Sequence, residues 1–298
     1  MTQNPDFSDK VVVVLGASGG LGQGVAQQLA QAGARVVLAG RRQDVLIHHE
    51  LRIRERGGIA IAERCDATRL ADVAALAEAA VAEFGRIDIW INSFGAGALG
   101  FFWDLPPEDQ ARLIDTNLTG VMLGTHVALA QFRRQGSGLL INLGAAGSEA
   151  PVAMQATYAA TKAAVQSLGR SLNEELRLEG LHPHIAVSTL MPGAVDTPFW
   201  SNAINCTGQA PPTAALDDPA DLVAAIIAVC ARPALGTSDF DPTAPPAPQV
   251  REHASIPAES PAENPVGNAA VNAAGAKAAQ GRSGADPVAA ARLPEGSF

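Results

Sequence analysis

Hydrophobic and polar positions come in blocks along this chain, and the blocks change period in a regular way. Val11–Leu15 is an unbroken aliphatic run ending at Gly16, the pattern of a strand buried on both faces of a parallel sheet. Leu21, Val25 and Leu29 then recur at helical spacing and the pattern closes at Gly33, so one face of a helix covers the strand. The exchange repeats. Arg35–Ala39 predicts a second strand, the polar stretch Asp44–Arg56 a helix, and Ile59–Cys65 a third strand. Thr68 is placed to cap a helix whose apolar face is Val73, Leu76, Val81 and Phe84. Ile87–Ile91, Leu139–Leu143 and Ile185–Leu190 predict strands four to six. Between them the pattern predicts helices from Glu108 to Arg134 and from Ala156 to Glu179. A last helix, Asp221–Ala231, is capped by Asp218 ahead of Pro219. Repeated β-α-β units with short connections predict an α/β fold. The expected architecture is a single Rossmann-like, doubly wound parallel sheet with helices on both faces, over residues 1–236. After Gly236 the pattern stops. Residues 237–298 are rich in Ala, Pro, Gly, Ser and Asn without apolar periodicity, which predicts a disordered tail.

Composition narrows the function classes. A chain of 298 residues has room for one α/β domain with a large core and something extra. Its formal charge of −9 argues against nucleic acid or an anionic membrane as partner. Cys65, Cys206 and Cys230 are far apart and odd in number, with no Cys-x-x-Cys spacing. They read as reduced, buried thiols in a cytoplasmic protein, not as a disulfide frame or a metal site. The polar, acidic start lacks the marks of a signal peptide, and no apolar run approaches a membrane span.

Chemistry is implied first at Tyr158-Ala-Ala-Thr-Lys162. On a helix, positions i and i+4 share a face, so a phenol stands beside an ammonium. A neighbouring positive charge favours the phenolate and brings its pKa towards the working range. The alternative is a half-buried Tyr with a solvated Lys. Tyr158 is the chain's one tyrosine. Upstream, Gly16-Ala-Ser18-Gly19-Gly20-Leu21-Gly22 lies where the first strand turns into the first helix. Glycines there let backbone approach a pyrophosphate, and the helix start supplies free N–H groups. The second strand ends at Gly40-Arg41-Arg42. An acid at that point would accept the ribose hydroxyl of NAD. Two guanidiniums suit the 2′-phosphate of NADP instead, so NADP is expected over NAD.

Together these motifs resemble the short-chain dehydrogenase/reductase family, over about residues 8–235. Gly16, Gly20 and Gly22 match its glycine motif, with Leu15 in place of the usual Thr. Asp66 matches its adenine-contacting Asp, and Asn92-Ser-Phe-Gly95 its Asn-Asn-Ala-Gly, which implies that Asn92 steadies the sheet and the cofactor. Asn117 matches the Asn that holds a proton-relay water. Tyr158 and Lys162 match the catalytic pair; Pro192, Gly193 and Thr197 match the nicotinamide-binding motif. The resemblance implies hydride transfer between NADPH and a carbonyl or alcohol, with Tyr158 as acid and base, Lys162 tuning it and holding the nicotinamide ribose, both residues touching the cofactor, and no metal.

Two departures stand out. The family's substrate-binding Ser falls on Ala145, which cannot donate; Ser148, three residues on in the same loop, is the candidate replacement. The family's seventh strand has only a poor counterpart in Ala234–Asp241, which leaves a homodimer through the helices carrying Asn117 and Tyr158 as the expected assembly. Aromatic residues in Gly95–Trp103 and at Phe199-Trp200 point either to an apolar or ring-bearing substrate or to rings that pack under the lid. Beside the reductase reading stand a catalytically impaired NADP-binding protein, a sensor or partner subunit, and a lyase or dehydratase using the same Tyr/Lys pair.

Overall fold

The computed structural model describes residues 5–148, 150–209 and 216–231. In chain order the strands are β1 (Val11–Leu15), β2 (Arg35–Gly40), β3 (Ile59–Arg64), β4 (Ile89–Asn92), β5 (Ala98–Leu99), β6 (Gly138–Leu143), β7 (Ile185–Leu190) and β8 (Ile204–Asn205). The helices are α1 (Gly20–Gln31), α2 (Gln43–Glu55), α3 (Leu70–Phe84), α4 (Pro107–Ile114), α5 (Gly120–Gln135), α6 (Ala156–Leu178) and α7 (Pro219–Cys230). Among the described residues, one parallel sheet has the order β3-β2-β1-β4-β6-β7, and β5 and β8 form a separate parallel pair.

The expected Rossmann-like α/β fold is therefore present. Its order follows from its sequence. Every residue of β1 is buried, because Val12 and Val14 face one layer of helices while Val13 and Leu15 face the other. The first layer packs α1, α2 and α7 against the sheet; the second packs α3, α5 and α6. The chain leaves β3 by way of α3 and returns at β4 beside β1, so strand order reverses between β1 and β4. Ligands of such sheets sit above this reversal, at the carboxyl ends of the strands.

Two expectations are corrected, the burial of Cys206, which is exposed while Cys65 and Cys230 are buried, and the cap at Thr68. The mostly helical stretch expected from Glu108 to Arg134 is present as α4 and α5, joined by a π-helical turn over Asp115–Thr119. Thr68 does not cap α3, whose N-cap is Arg69 without a side-chain bond; its hydroxyl and N–H instead donate to Asp66 Oδ1. The β5·β8 pair was not anticipated, since two-residue strands carry no periodicity. Asp218 does cap α7, accepting from the Ala220 N–H at 2.8 Å. The tail expected from residue 237 and the weak strand candidate Ala234–Asp241 lie outside the described residues. Among those described, no helix is long and apolar enough to cross a membrane.

Candidate active site

Tyr158 and Lys162 stand one turn apart on α6, near the carboxyl ends of β4 and β6. Lys162 is buried, and its Nζ donates to the Leu143 carbonyl at 2.9 Å, 5.8 Å from the centre of the Tyr158 ring. Burial pulls the Lys162 pKa down to about 8 and pushes the Tyr158 phenol up to about 12. The expected depression of the tyrosine is thus absent from this arrangement. Desolvation dominates, because the Tyr158 ring is covered by Phe199 and Trp200, with centroids 5.9 and 5.8 Å away.

Asn117 enters from the π-turn and is fully buried. Its amide reads both backbone groups of Ala96: Nδ2 donates to the Ala96 carbonyl at 2.8 Å, and Oδ1 accepts from the Ala96 N–H at 2.7 Å. A second bond runs to Thr161 Oγ1 at 3.4 Å, on the turn between Tyr158 and Lys162. Gly95 closes this group. A Cβ there would lie 3.2 Å from Asn117 Oδ1, 3.6 Å from Lys162 Nζ and 3.8 Å from Phe199 Cε2. Tyr158, Lys162, Asn117 and Gly95 are brought together as the sequence motifs imply.

The glycine-rich turn lies across the strand reversal. Gly16 has φ of +106° and a side chain there would run into the Ser93 carbonyl, so only glycine fits. Gly22 is held against the Gly16 carbonyl. Gly19 is the N-cap of α1, with no side-chain cap bond and no acid in the first turn. Its N–H groups and positive potential are left for an anion. Gly20 faces Thr197 and Pro198, at 4.0 and 3.8 Å from a Cβ placed on it. The Ser18 hydroxyl points at the end of β2, 3.1 Å from a Cβ on Gly40, and Arg42 donates to the Ser18 carbonyl. Arg41 is exposed beside Asp66. The Thr68 N–H holds the Asp66 carboxyl below its usual range against a burial penalty, helped by the Thr68 hydroxyl and the Arg41 cation. An open helix start and a close-packed glycine cradle, with a hydroxyl and two cations at the β2 end, fit a dinucleotide.

Other predicted residues take more structural parts. The Asn92 side chain is buried in the sheet, accepting from Trp90 Nε1 at 2.9 Å and donating to Asn142 Oδ1 at 2.8 Å, while Asn142 donates to Thr125 Oγ1 at 3.4 Å. It steadies the sheet and does not extend its amide into the crevice. Pro192 and Gly193 lie on a loop tied down twice. The Pro192 carbonyl accepts from the Ala146 N–H at 2.7 Å, and Asp217 exchanges backbone bonds with Ala194 and Asp196 at 2.7 and 3.0 Å. Thr197 Oγ1 accepts from the Phe199 N–H at 3.4 Å. Ala145 offers no donor. The Ser148 hydroxyl is buried and has no hydrogen-bond partner among the described residues, Tyr158 included. The Leu143 and Ala96 backbone groups and Asp217 escaped the sequence reading. All three act through main-chain atoms that residue identity does not mark.

A family model described as short chain dehydrogenase matches residues 10–205. The chain is 34% identical over 198 residues to an uncharacterised oxidoreductase of Bacillus subtilis, YxnA, a match covering 66% of this chain and 55% of that one. It is 31% identical over 192 residues to an (S)-acetoin-forming diacetyl reductase of Staphylococcus epidermidis, covering 64% of this chain and 73% of that one. Among solved structures, a short chain dehydrogenase/reductase from Burkholderia phymatum in complex with NAD superposes with a TM-score of 0.70 at 26% identity, covering 77% of this chain and 88% of that one.

Proposed function

The chain belongs to the short-chain dehydrogenase/reductase family, and from that premise we propose an NADP(H)-dependent oxidoreductase that interconverts a carbonyl and an alcohol with Tyr158 as acid and base. The observation that carries it is the meeting of Tyr158, Lys162 and Asn117 beside Gly95. When bound, the nicotinamide supplies or accepts the hydride. Tyr158, held neutral by burial, keeps a proton to give to a carbonyl oxygen and receives it back in the reverse direction. Lys162 is a cation below about pH 8 and stabilises the phenolate that forms when the proton leaves. Asn117 clamps the Ala96 backbone and fixes the bend that sets α4 and α5 against the site. NADP over NAD rests on Ser18, Arg41 and Arg42 at the end of β2. The Burkholderia phymatum relative is in complex with NAD, so the dinucleotide is common ground, and the preference for the 2′-phosphate rests on the residues at the β2 end.

The gap is the substrate oxygen's second donor. Removing one such donor costs about 2.7–4 kcal/mol, or roughly 10²–10³ in rate. The orphaned Ser148 hydroxyl is the group at hand in the same loop. Oxidation of NADPH against ketones, aldehydes, diketones and quinones, with wild type beside Ala145→Ser, tests the reading. Turnover by wild type with little gain from the added serine supports the enzyme and means that another group already fills the donor role, with Ser148 the next residue to remove. A silent wild type that Ala145→Ser wakes favours the second reading, a nucleotide-binding protein that has lost its donor.

A further inference from the structure

Two aromatic pairs stand on the substrate side of the site, and neither belongs to the apolar clusters of the fold. The inner pair, Phe199 and Trp200, meets edge to face at 5.0 Å, and both rings lie against Tyr158. Phe199 also sits 2.9 Å from where a Cβ on Gly97 would be. The outer pair, Phe101 and Trp103, is stacked with planes 2° apart and centroids at 5.3 Å. Phe101, Phe102 and Trp103 are 45, 56 and 78% exposed, and among the described residues no other three consecutive large apolar residues are exposed.

Both pairs are mounted on one small frame. At its inner end the Ile204 N–H donates to the Gly97 carbonyl at 3.0 Å; at its outer end the Cys206 N–H donates to the Leu99 carbonyl at 2.8 Å. The Gly100 N–H donates to the Met154 carbonyl at 2.9 Å, just ahead of α6. Gln110 Nε2 holds the Phe102 and Leu105 carbonyls at 3.0 Å each, and Gln110 Oε1 accepts from Thr157, the neighbour of Tyr158, at 3.0 Å. The backbone that carries the outer rings is therefore tied to the start of the catalytic helix. From Gly97 to Gly100 the frame advances three residues, about 10 Å at strand rise. Leaving three rings in water forgoes the free energy their burial would release, and contiguous exposed apolar surface marks a binding surface.

We infer that the substrate is an elongated apolar carbonyl compound, with its reacting end against Tyr158, Phe199 and Trp200 and its tail running along the β5·β8 frame onto Phe101 and Trp103. The inference rests on the reductase reading and adds to it a substrate class and a length. The inner pair faces the reacting end; the outer pair rewards reach.

The test uses the full chain, NADPH, and straight-chain methyl ketones from butanone to undecanone, followed by both turnover and tryptophan fluorescence. The expected kcat/KM rises about two- to fourfold for each added methylene, the range for half to full burial of that group. In a Phe101→Ala/Trp103→Ala double variant the undecanone-to-butanone ratio falls towards one. Undecanone shifts the emission of wild type more than butanone does, and Trp103→Phe loses that difference while Trp200 still responds to both. A flat series in wild type, or an unchanged slope in the double variant, overturns the inference while butanone turnover keeps the reductase. A double variant that sediments as a smaller species also overturns it, since the rings then cover a second copy of the chain. If no ketone is reduced but the Trp103 signal still grows with chain length, the reductase falls and the apolar track stands. Neither turnover nor signal ends both.

Discussion

At the nucleotide end of the crevice, Arg41 and Arg42 carry their charges in solvent, beside a helix start with no acid to neutralise it. At the catalytic end, Lys162 is 4% exposed and its charge is held against a desolvation penalty, next to a phenol that burial keeps protonated. The same sheet edge supports both. Cations left in water recognise a phosphate without paying first for their own burial, and salt screens them. A cation already stripped of water responds strongly to any charge formed beside it. Binding is assigned to the wet end and proton chemistry to the dry one, and substitutions that separate the two functions are the way to test that division.

The largest expected effect is at the dry end. Tyr158→Phe lowers kcat/KM by about 10²–10⁴ and leaves the dissociation constant for NADPH unchanged by calorimetry. An equal loss of nucleotide affinity would mean that the two ends are not separable. Next comes the wet end. Arg41→Ala combined with Arg42→Ala removes charge-assisted bonds worth about 1.5–3 kcal/mol, a loss of roughly 10- to 150-fold in NADPH affinity. Binding of NADH changes little, and the loss shrinks as salt rises. Equal weakening of both nucleotides would show instead that Arg42 serves only the Ser18 carbonyl.

The smallest effect is on stability. The folded pKa of Lys162, about 8, lies below its ordinary value of 10.5. Between those values the unfolded chain binds more protons, so this group makes stability rise with pH through that window and contributes no slope below it. Tyr158 works the other way. Its folded pKa, about 12, exceeds 10, so its contribution is lost as pH climbs from 10 to 12. Urea midpoints measured from pH 8 to pH 10 should climb more steeply in wild type than in Lys162→Met. Parallel curves would place Lys162 in water.

Much of the fold was legible because its signals are local. The Val11–Leu15 run, the glycines of the first turn and the Asp218-Pro219 cap each express their structure within a few residues. The motif residues Tyr158, Lys162, Asn117 and Gly95 were legible as a set, since a helix turn fixes the first two and family spacing fixes the others. What escaped depends on tertiary context. Residues 108–134 have a helical pattern throughout, and only packing of Asn117 onto Ala96 goes with the break into a π-turn. The tyrosine's raised pKa was hidden for a similar reason. Spacing places Lys162 near the phenol, but it cannot tell that Leu143 takes the ammonium or that Phe199 and Trp200 exclude water.

The chain of side-chain bonds from Trp90 through Asn92 and Asn142 to Thr125 has a consequence for how such a protein can change. It joins β4 to β6 beneath the crevice, at the paired positions Asn92 and Asn142. Sliding one strand by a single residue would turn one amide to the opposite layer and orphan the other. The width of the seat is thus quantised: the sheet either keeps its register or loses it. New substrates must be accommodated at the rim, where the β5·β8 frame is only two residue pairs long and a loop can be lengthened or recut by small steps. The molecule is digital at its floor and graded at its edge, so variants selected for a new substrate should collect their changes in residues 94–105 and 197–206 and leave the floor alone.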